Sequence, residues 1–274
     1  MGFYGLDVYS LWESLREVTT YLEGIDLEAA RAARQAFVCF QPYDRDVQAY
    51  AWATRLVRGR RDEPAAGNPA QASAVSAASR RRRVRVQCRA KRAVGAERYY
   101  RTMIRGGPDS WNLRDHHVVD TLERLMQHHG PEAKAIVWEH NTHVGDARAT
   151  DMAGAGMVNV GQLVRERRSG DGVVLVGFGS HRGSVIAGRE WDAPMERMRV
   201  PEAREGSYED LFHSTLGDDR LMILTGGVGE ISDVFRRTRG HRAIGVVYNP
   251  EALHPLHFEP EPSKEPPETY PWAV

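Results

Sequence analysis

Two imidazoles three residues apart, His140 and His143, are the groups in this chain whose type and spacing could do chemistry, with the amide of Asn141 and the hydroxyl of Thr142 between them. A neutral imidazole takes a proton from water or polarises a carbonyl near neutral pH. Water activated in that way becomes a nucleophile. Asp146 follows His143 by another three residues. Together His140, His143 and Asp146 are residue types that suit zinc or a similar ion, so a metallohydrolase is a second reading. Spacing of three and three on a loop fixes no coordination geometry, however. A third reading has no chemistry in it: histidines after a strand also cap backbone groups or face solvent, and titratable groups mark sites only statistically.

The position of these residues depends on what precedes them. Ile136-Val137-Trp138 is a short apolar run after a predicted helix, which is how a buried strand of a parallel sheet reads. Its apolar character stops at Glu139, and Gly145-Asp146 signals a turn. In open α/β sheets, ligands bind beyond the carboxyl ends of the strands. Both histidines are therefore expected at that edge, opening into a cleft. Asp7 is expected to end another strand at the same edge, and Arg148 follows the histidine loop. These two are candidates for substrate binding, or equally for structural ion pairs.

The chain has 274 residues, with 37 basic and 37 acidic side chains. Bulk charge therefore points to neither nucleic acid nor a membrane surface. The two cysteines, Cys39 and Cys88, lack metal-type spacing, and their scarcity fits a reducing cytoplasm. No apolar run approaches the roughly 20 residues of a membrane span.

In chain order, Met1–Val8 reads as a strand, and Ser10 as a helix cap with Glu13 as its capping-box partner. Asp26 caps a second helix, and Val47–Leu56 suggests a third. From 59 to 95 the text is rich in Arg, Ala, Ser, Gly and Pro, with Arg80-Arg81-Arg82-Arg83 inside it. Such composition predicts disorder. The arginine run carries no interleaved aromatics, so a nucleic-acid partner is not expected. Order is expected to resume at Ala96, with a long helix from Asp109 or Ser110 to about Gly130. Further helices are predicted at Asn159–Arg168, Ser207–Leu216 and Glu230–Arg237, and strands near Phe3, Val137, Leu175, Ile223 and Val246. Strands alternating with helices predict an α/β fold, a parallel-dominated sheet flanked by helices. From 256 to 274 the chain reads as a Pro/Glu-rich tail.

Several long words of this sequence resemble the erythromycin esterase-like family. They are Gly2-Phe3-Tyr4-Gly5-Leu6-Asp7-Val8-Tyr9-Ser10-Leu11-Trp12-Glu13-Ser14, Tyr99-Tyr100-Arg101-Thr102-Met103 and Ser110-Trp111-Asn112-Leu113-Arg114-Asp115. They continue through Val137 to Thr150, Asn159-Val160-Gly161-Gln162-Leu163 and Val176-Gly177-Phe178-Gly179. The resemblance covers most of residues 1–58 and 96–250. It implies one partial α/β hydrolase-type domain, over 1–58 and 96–255, and metal-independent hydrolysis of an ester or macrolide lactone. His140 and His143 match the family's downstream histidine pair. No cofactor is implied, and the partner would be a small-molecule ester or lactone.

The resemblance also places a general base and a glutamate upstream, in a Gly-Glu-x-x-His segment that residues 1–274 do not contain. The expectation is a family fold that is incomplete, with little or no hydrolysis by this chain alone. The 59–95 text reads like a shifted frame, which adds to the expectation of a fragmentary gene product. A non-catalytic remnant or binding protein of the same fold is the alternative. His181, beside the glycine-rich crossing at Gly179 and Gly183, is the next base to consider. His116, His117, His128 and His129 read as solvated side chains on or near a helix.

Overall fold

The structure is a computed structural model that describes residues 2–43, 46–56, 80–104, 107–170, 172–190, 193–216 and 238–248. The chain divides into two compact units, 1–136 and 137–274.

The first unit is helical. Helix α1 spans Leu11–Glu23 and α2 spans Leu27–Phe37, followed by a 3-10 turn over Val38–Tyr43. Helices α3 (Val47–Leu56), α4 (Arg80–Met103) and α5 (Pro108–His129) complete it. The 3.6-residue spacing of Leu11, Leu15, Val18 and Leu22 gives α1 one apolar face. Leu11 and Leu15 pack with Phe40, Tyr50, Ala51, Ala93, Ala96 and Tyr100 in the core, whereas Val18 and Leu22 join Tyr21 and Ala30 in a neighbouring cluster. Asp26 starts α2 as expected, its Oδ1 accepting from the Ala29 N–H at 2.9 Å. Ser10 does not cap α1: it is left-handed, at φ 87°, and its side chain makes no cap bond. The long helix starts with Pro108 at its first turn, ahead of Asp109 and Ser110.

The disorder expected over 59–95 divides at residue 80. Residues 57–79 lie outside the described residues, whereas 80–95 form the first two-thirds of α4. Arg, Ala and Lys are good helix formers, and no Gly or Pro interrupts 80–94. The small side chains of Ala93 and Ala96 let α4 pack closely against α1. Composition signalled weak apolar periodicity and missed that strong local propensity. The 256–274 tail also lies outside the described residues.

The second unit holds a short helix α6 (Asn141–Val144), a 3-10 turn (Ala147–Ala149) and α7 (Val160–Arg167). Strands β1 (Gly183–Ala187) and β2 (Glu196–Val200) then pair antiparallel, Val185 opposite Met198. Helix α8 (Tyr208–Leu216) follows, with the Ser207 Oγ accepting from the Asp210 N–H at 3.2 Å. Ala187, Met198, Val200 and Tyr248 form a small core.

The parallel-dominated sheet expected from the sequence is not found among the described residues, which carry only this two-stranded ladder and one parallel bridge, Gly188 to Val247. Phe3, Val137 and Leu175 are not in strands, and Ile223 lies outside the described residues. Ile136 is 95% exposed and Trp138 83%. An apolar run states that a segment favours cover. A ladder also needs a partner backbone in register about 4.8 Å away, which one segment does not encode. Among the described residues, no helix is long and apolar enough to cross a membrane.

Candidate active site

The histidine turn is built by local hydrogen bonds. His140 is extended (φ −67°, ψ 151°) and caps α6, its Nδ1 accepting from the Thr142 N–H at 3.3 Å. Nδ1 also lies 2.9 Å from the Thr142 hydroxyl. Nε2 lies 2.8 Å from the Ile244 carbonyl oxygen, which can only accept. The proton of a neutral His140 therefore sits on Nε2, and both nitrogens are engaged. The ring remains exposed.

His143 goes the other way. Its side chain is buried, 8% exposed, and its backbone N–H closes the turn onto the His140 carbonyl at 2.8 Å. The expectation that both imidazoles open into one cleft does not hold. Residues three apart share a helical face, but His140 is the non-helical cap and only His143 lies on the helix.

Asn141 anchors the turn to the segment before the glycine-rich crossing. Its Oδ1 accepts from the Phe178 N–H at 3.1 Å, and its Nδ2 donates to the Phe178 carbonyl oxygen. One side-chain amide thus satisfies both backbone polar groups of a single residue, as a neighbouring antiparallel strand would. Asn159 anchors the other side. It is 1% exposed; its Oδ1 caps α7 through Gln162 N–H at 3.0 Å and accepts from Ala147 N–H at 3.2 Å. Its Nδ2 donates to the Thr142 carbonyl at 3.0 Å.

Asp146 and Arg148 belong to a charge cluster. Arg148 grips both Asp146 oxygens, Nε to Oδ1 at 2.9 Å and Nη2 to Oδ2 at 2.6 Å, and Arg165 Nη1 adds a contact at 3.1 Å. Burial would raise the Asp146 carboxyl, but the hydrogen bonds from Arg148 and the Arg165 charge hold it below the usual carboxylate range. Its lone pairs are thus already directed at guanidinium groups. A metal set of His140, His143 and Asp146 is not assembled: among the described residues no group of three such side chains could hold an ion.

Asp7 belongs to the first unit. Arg114 grips it in the same two-pronged way, Nε to Oδ1 at 2.9 Å and Nη2 to Oδ2 at 2.7 Å. The Arg114 guanidinium also stacks 5.0 Å from the centre of the Tyr9 ring. Both candidate substrate-binding residues, Asp7 and Arg148, thus carry intramolecular ion pairs. His181 stacks on His213, ring centres 3.8 Å apart.

Sequence reasoning missed a pair that faces the turn. Glu209, in the first turn of α8 and 5% exposed, lies 2.7 Å from His241 Nδ1 through its Oε1, which also accepts from the Arg242 N–H at 2.9 Å. Burial would raise the Glu209 carboxyl, but the His241 contact lowers it below the usual range. His241 Nε2 lies 3.5 Å from Asn141 Nδ2. No motif joins Glu209 to His241. The only signals are a glutamate after a helix cap and a histidine before the apolar run 243–248.

A family model described as erythromycin esterase matches residues 1–270, an interval that includes the 59–95 stretch. Among solved structures, the chain is similar to a mutant of the erythromycin esterase EreC in its open conformation. The TM-score is 0.50 at 15% sequence identity, over 78% of this chain and 58% of that one. This chain therefore spans less than two-thirds of that neighbour's length, and at such identity the likeness concerns the fold alone.

Proposed function

The chain belongs to the erythromycin esterase family, and from that premise we propose that it is a hydrolase that opens an ester or macrolide lactone by histidine-assisted attack of water, without a metal. The observation that supports this most directly is the histidine turn itself. It presents His140 as an exposed imidazole on a cap clamped from both sides, by Asn141 to Phe178 and by Asn159 to α7. A rigidly held group of this kind is what orientation in a transition state requires.

In this reading His140 is the group that meets the substrate. Its Nε2 proton, now on the Ile244 carbonyl, is the donor that would stabilise negative charge developing on the ester carbonyl oxygen. His143, which is buried, orients the turn. The proton of the attacking water goes to a general base, which the family pattern places in a Gly-Glu-x-x-His segment, and is returned to the leaving alcohol as the acyl–oxygen bond breaks.

The test is hydrolysis of a macrolide lactone and of a simple aryl ester by the chain as given and by a version extended upstream with a Gly-Glu-x-x-His segment. Turnover by the extended form that falls at least tenfold in His140→Ala supports the reading. Full turnover in that variant would mean the turn is structural.

A further inference from the structure

We propose that Glu209 and His241 are positioning residues that fix the orientation of Asn141 and, through it, the turn that carries His140; this rests on the ester hydrolysis proposed above only for its kinetic consequence. The argument follows the protons. The two bonds to Phe178 fix which end of the Asn141 amide is which: Oδ1 takes the Phe178 N–H, so Nδ2 must face the Phe178 carbonyl. The same Nδ2 has a second hydrogen, and it faces His241 Nε2 at 3.5 Å. An amide nitrogen only donates, so in the neutral imidazole Nε2 accepts. His241 must then carry its proton on Nδ1, the nitrogen 2.7 Å from the Glu209 carboxylate.

Glu209 in turn is suited to hold that tautomer. It is buried, ionised by its contacts, and held from α8 by a second bond to the Arg242 N–H. The line Glu209 to His241 to Asn141 to Phe178 thus ties α8 to the histidine turn, each donor set by the one before. A carboxylate that selects an imidazole tautomer is a known way of fixing what the far nitrogen does. Here the far nitrogen faces an amide, so the outcome is the direction of a side chain rather than proton transfer. Deleting the line removes one of the three contacts that hold the Asn141 amide and leaves the Phe178 pair alone to resist a flip, which would set donor against donor and acceptor against acceptor there.

Two substitutions separate the ends of the imidazole. In His241→Asn the amide nitrogen stands near the Nδ1 position, so the Glu209 bond is kept and the acceptor toward Asn141 is lost. In His241→Gln the carbonyl oxygen stands near the Nε2 position, so the acceptor is kept. Amide hydrogen exchange of the full chain, followed by NMR, reads Asn141 directly, because the Phe178 N–H is held by Asn141 Oδ1. We expect exchange at Phe178 to rise roughly tenfold in His241→Asn, the loss of about one hydrogen bond, and to stay within threefold of the parent in His241→Gln. Nitrogen chemical shifts should place the parent His241 proton on Nδ1, and Glu209→Gln should shift that population toward Nε2. In any form that hydrolyses ester, kcat should fall in His241→Asn with KM changed less than threefold, and His241→Gln should restore most of it. Equal Phe178 protection in both variants, or a parent His241 proton on Nε2, would overturn the proposal. Those readouts stand even if no ester is hydrolysed, so failure of the proposed activity is distinguishable from failure of this inference.

Discussion

Gly161 lies directly against Gly145: a β-carbon built on Gly161 would stand 2.1 Å from the Gly145 carbonyl oxygen and 2.2 Å from that of Val144. Helix α7 therefore begins in contact with the backbone that ends the histidine turn, and only a residue without a side chain fits. The neighbouring atoms are main chain on both sides, so no rotamer change relieves the overlap.

Gly161→Ala should accordingly push α7 and the turn apart. The expected cost is about 1–3 kcal/mol of stability, the usual range for forced overpacking, in spite of the helix propensity that alanine adds. Chemical denaturation of the two proteins measures it. A variant as stable as the parent would mean that the turn can shift freely.

Asn159 makes three bonds to main-chain groups of the turn and of α7. Asn159→Ala removes a helix cap, worth about 1 kcal/mol, and leaves the Ala147 N–H and the Thr142 carbonyl without that partner. The expected loss is about 2–4 kcal/mol. Asn159→Asp keeps both accepting roles but sets a buried carboxylate oxygen against the Thr142 carbonyl, so its denaturation midpoint should also lie below the parent's.

The two histidines of the motif should separate by experiment. His140 is exposed and His143 is 8% exposed. In a form that hydrolyses ester, His140→Ala should lower kcat at least tenfold, about 1.4 kcal/mol of transition-state stabilisation, and shift the melting temperature little. His143→Ala should lower the melting temperature as well, because it empties a buried position. Thermal melts run beside the rate measurements distinguish the two.

His117 gives the stability an acid limit. Expected from the sequence to be solvated, it is instead buried on α5, with Gly95 of α4 against its ring. Burial first, and then the nearby charges of Lys91 and Arg92, bring its pKa down to about 4 from 6.5. The folded state thus binds fewer protons than the unfolded chain between those values, and stability falls as pH drops from about 6.5 toward 4. Asp146 and Glu209, held below the usual carboxylate range, extend the loss at still lower pH. His117→Gln should flatten the dependence between pH 6.5 and 4, as urea midpoints across that range would record. An unchanged slope would count against a buried neutral His117.

What was legible in the sequence was local or carried by long words. Asp26, Asn159 and Ser207 were readable as helix starts, because a cap acts on a backbone group two or three residues away. The family was readable from words such as Val137 to Thr150, and the later match over residues 1–270 agrees. The His140–His143 spacing was readable too. Its meaning was not, since the same text places both histidines on one face or, with His140 as the cap, on two.

The sequence by itself thus determined where most of the helices start and which family the chain belongs to. Tertiary structure alone decided the company each charged or polar group keeps. Asn141 meets His241 across 100 residues and Phe178 across 37, and Arg114 reaches Asp7 across 107. The physical reason is range. A cap or a helical face is fixed by residues within one or two turns, whereas a buried carboxylate such as Glu209 takes whatever donor the packing brings to it, and no spacing rule in the chain encodes that donor.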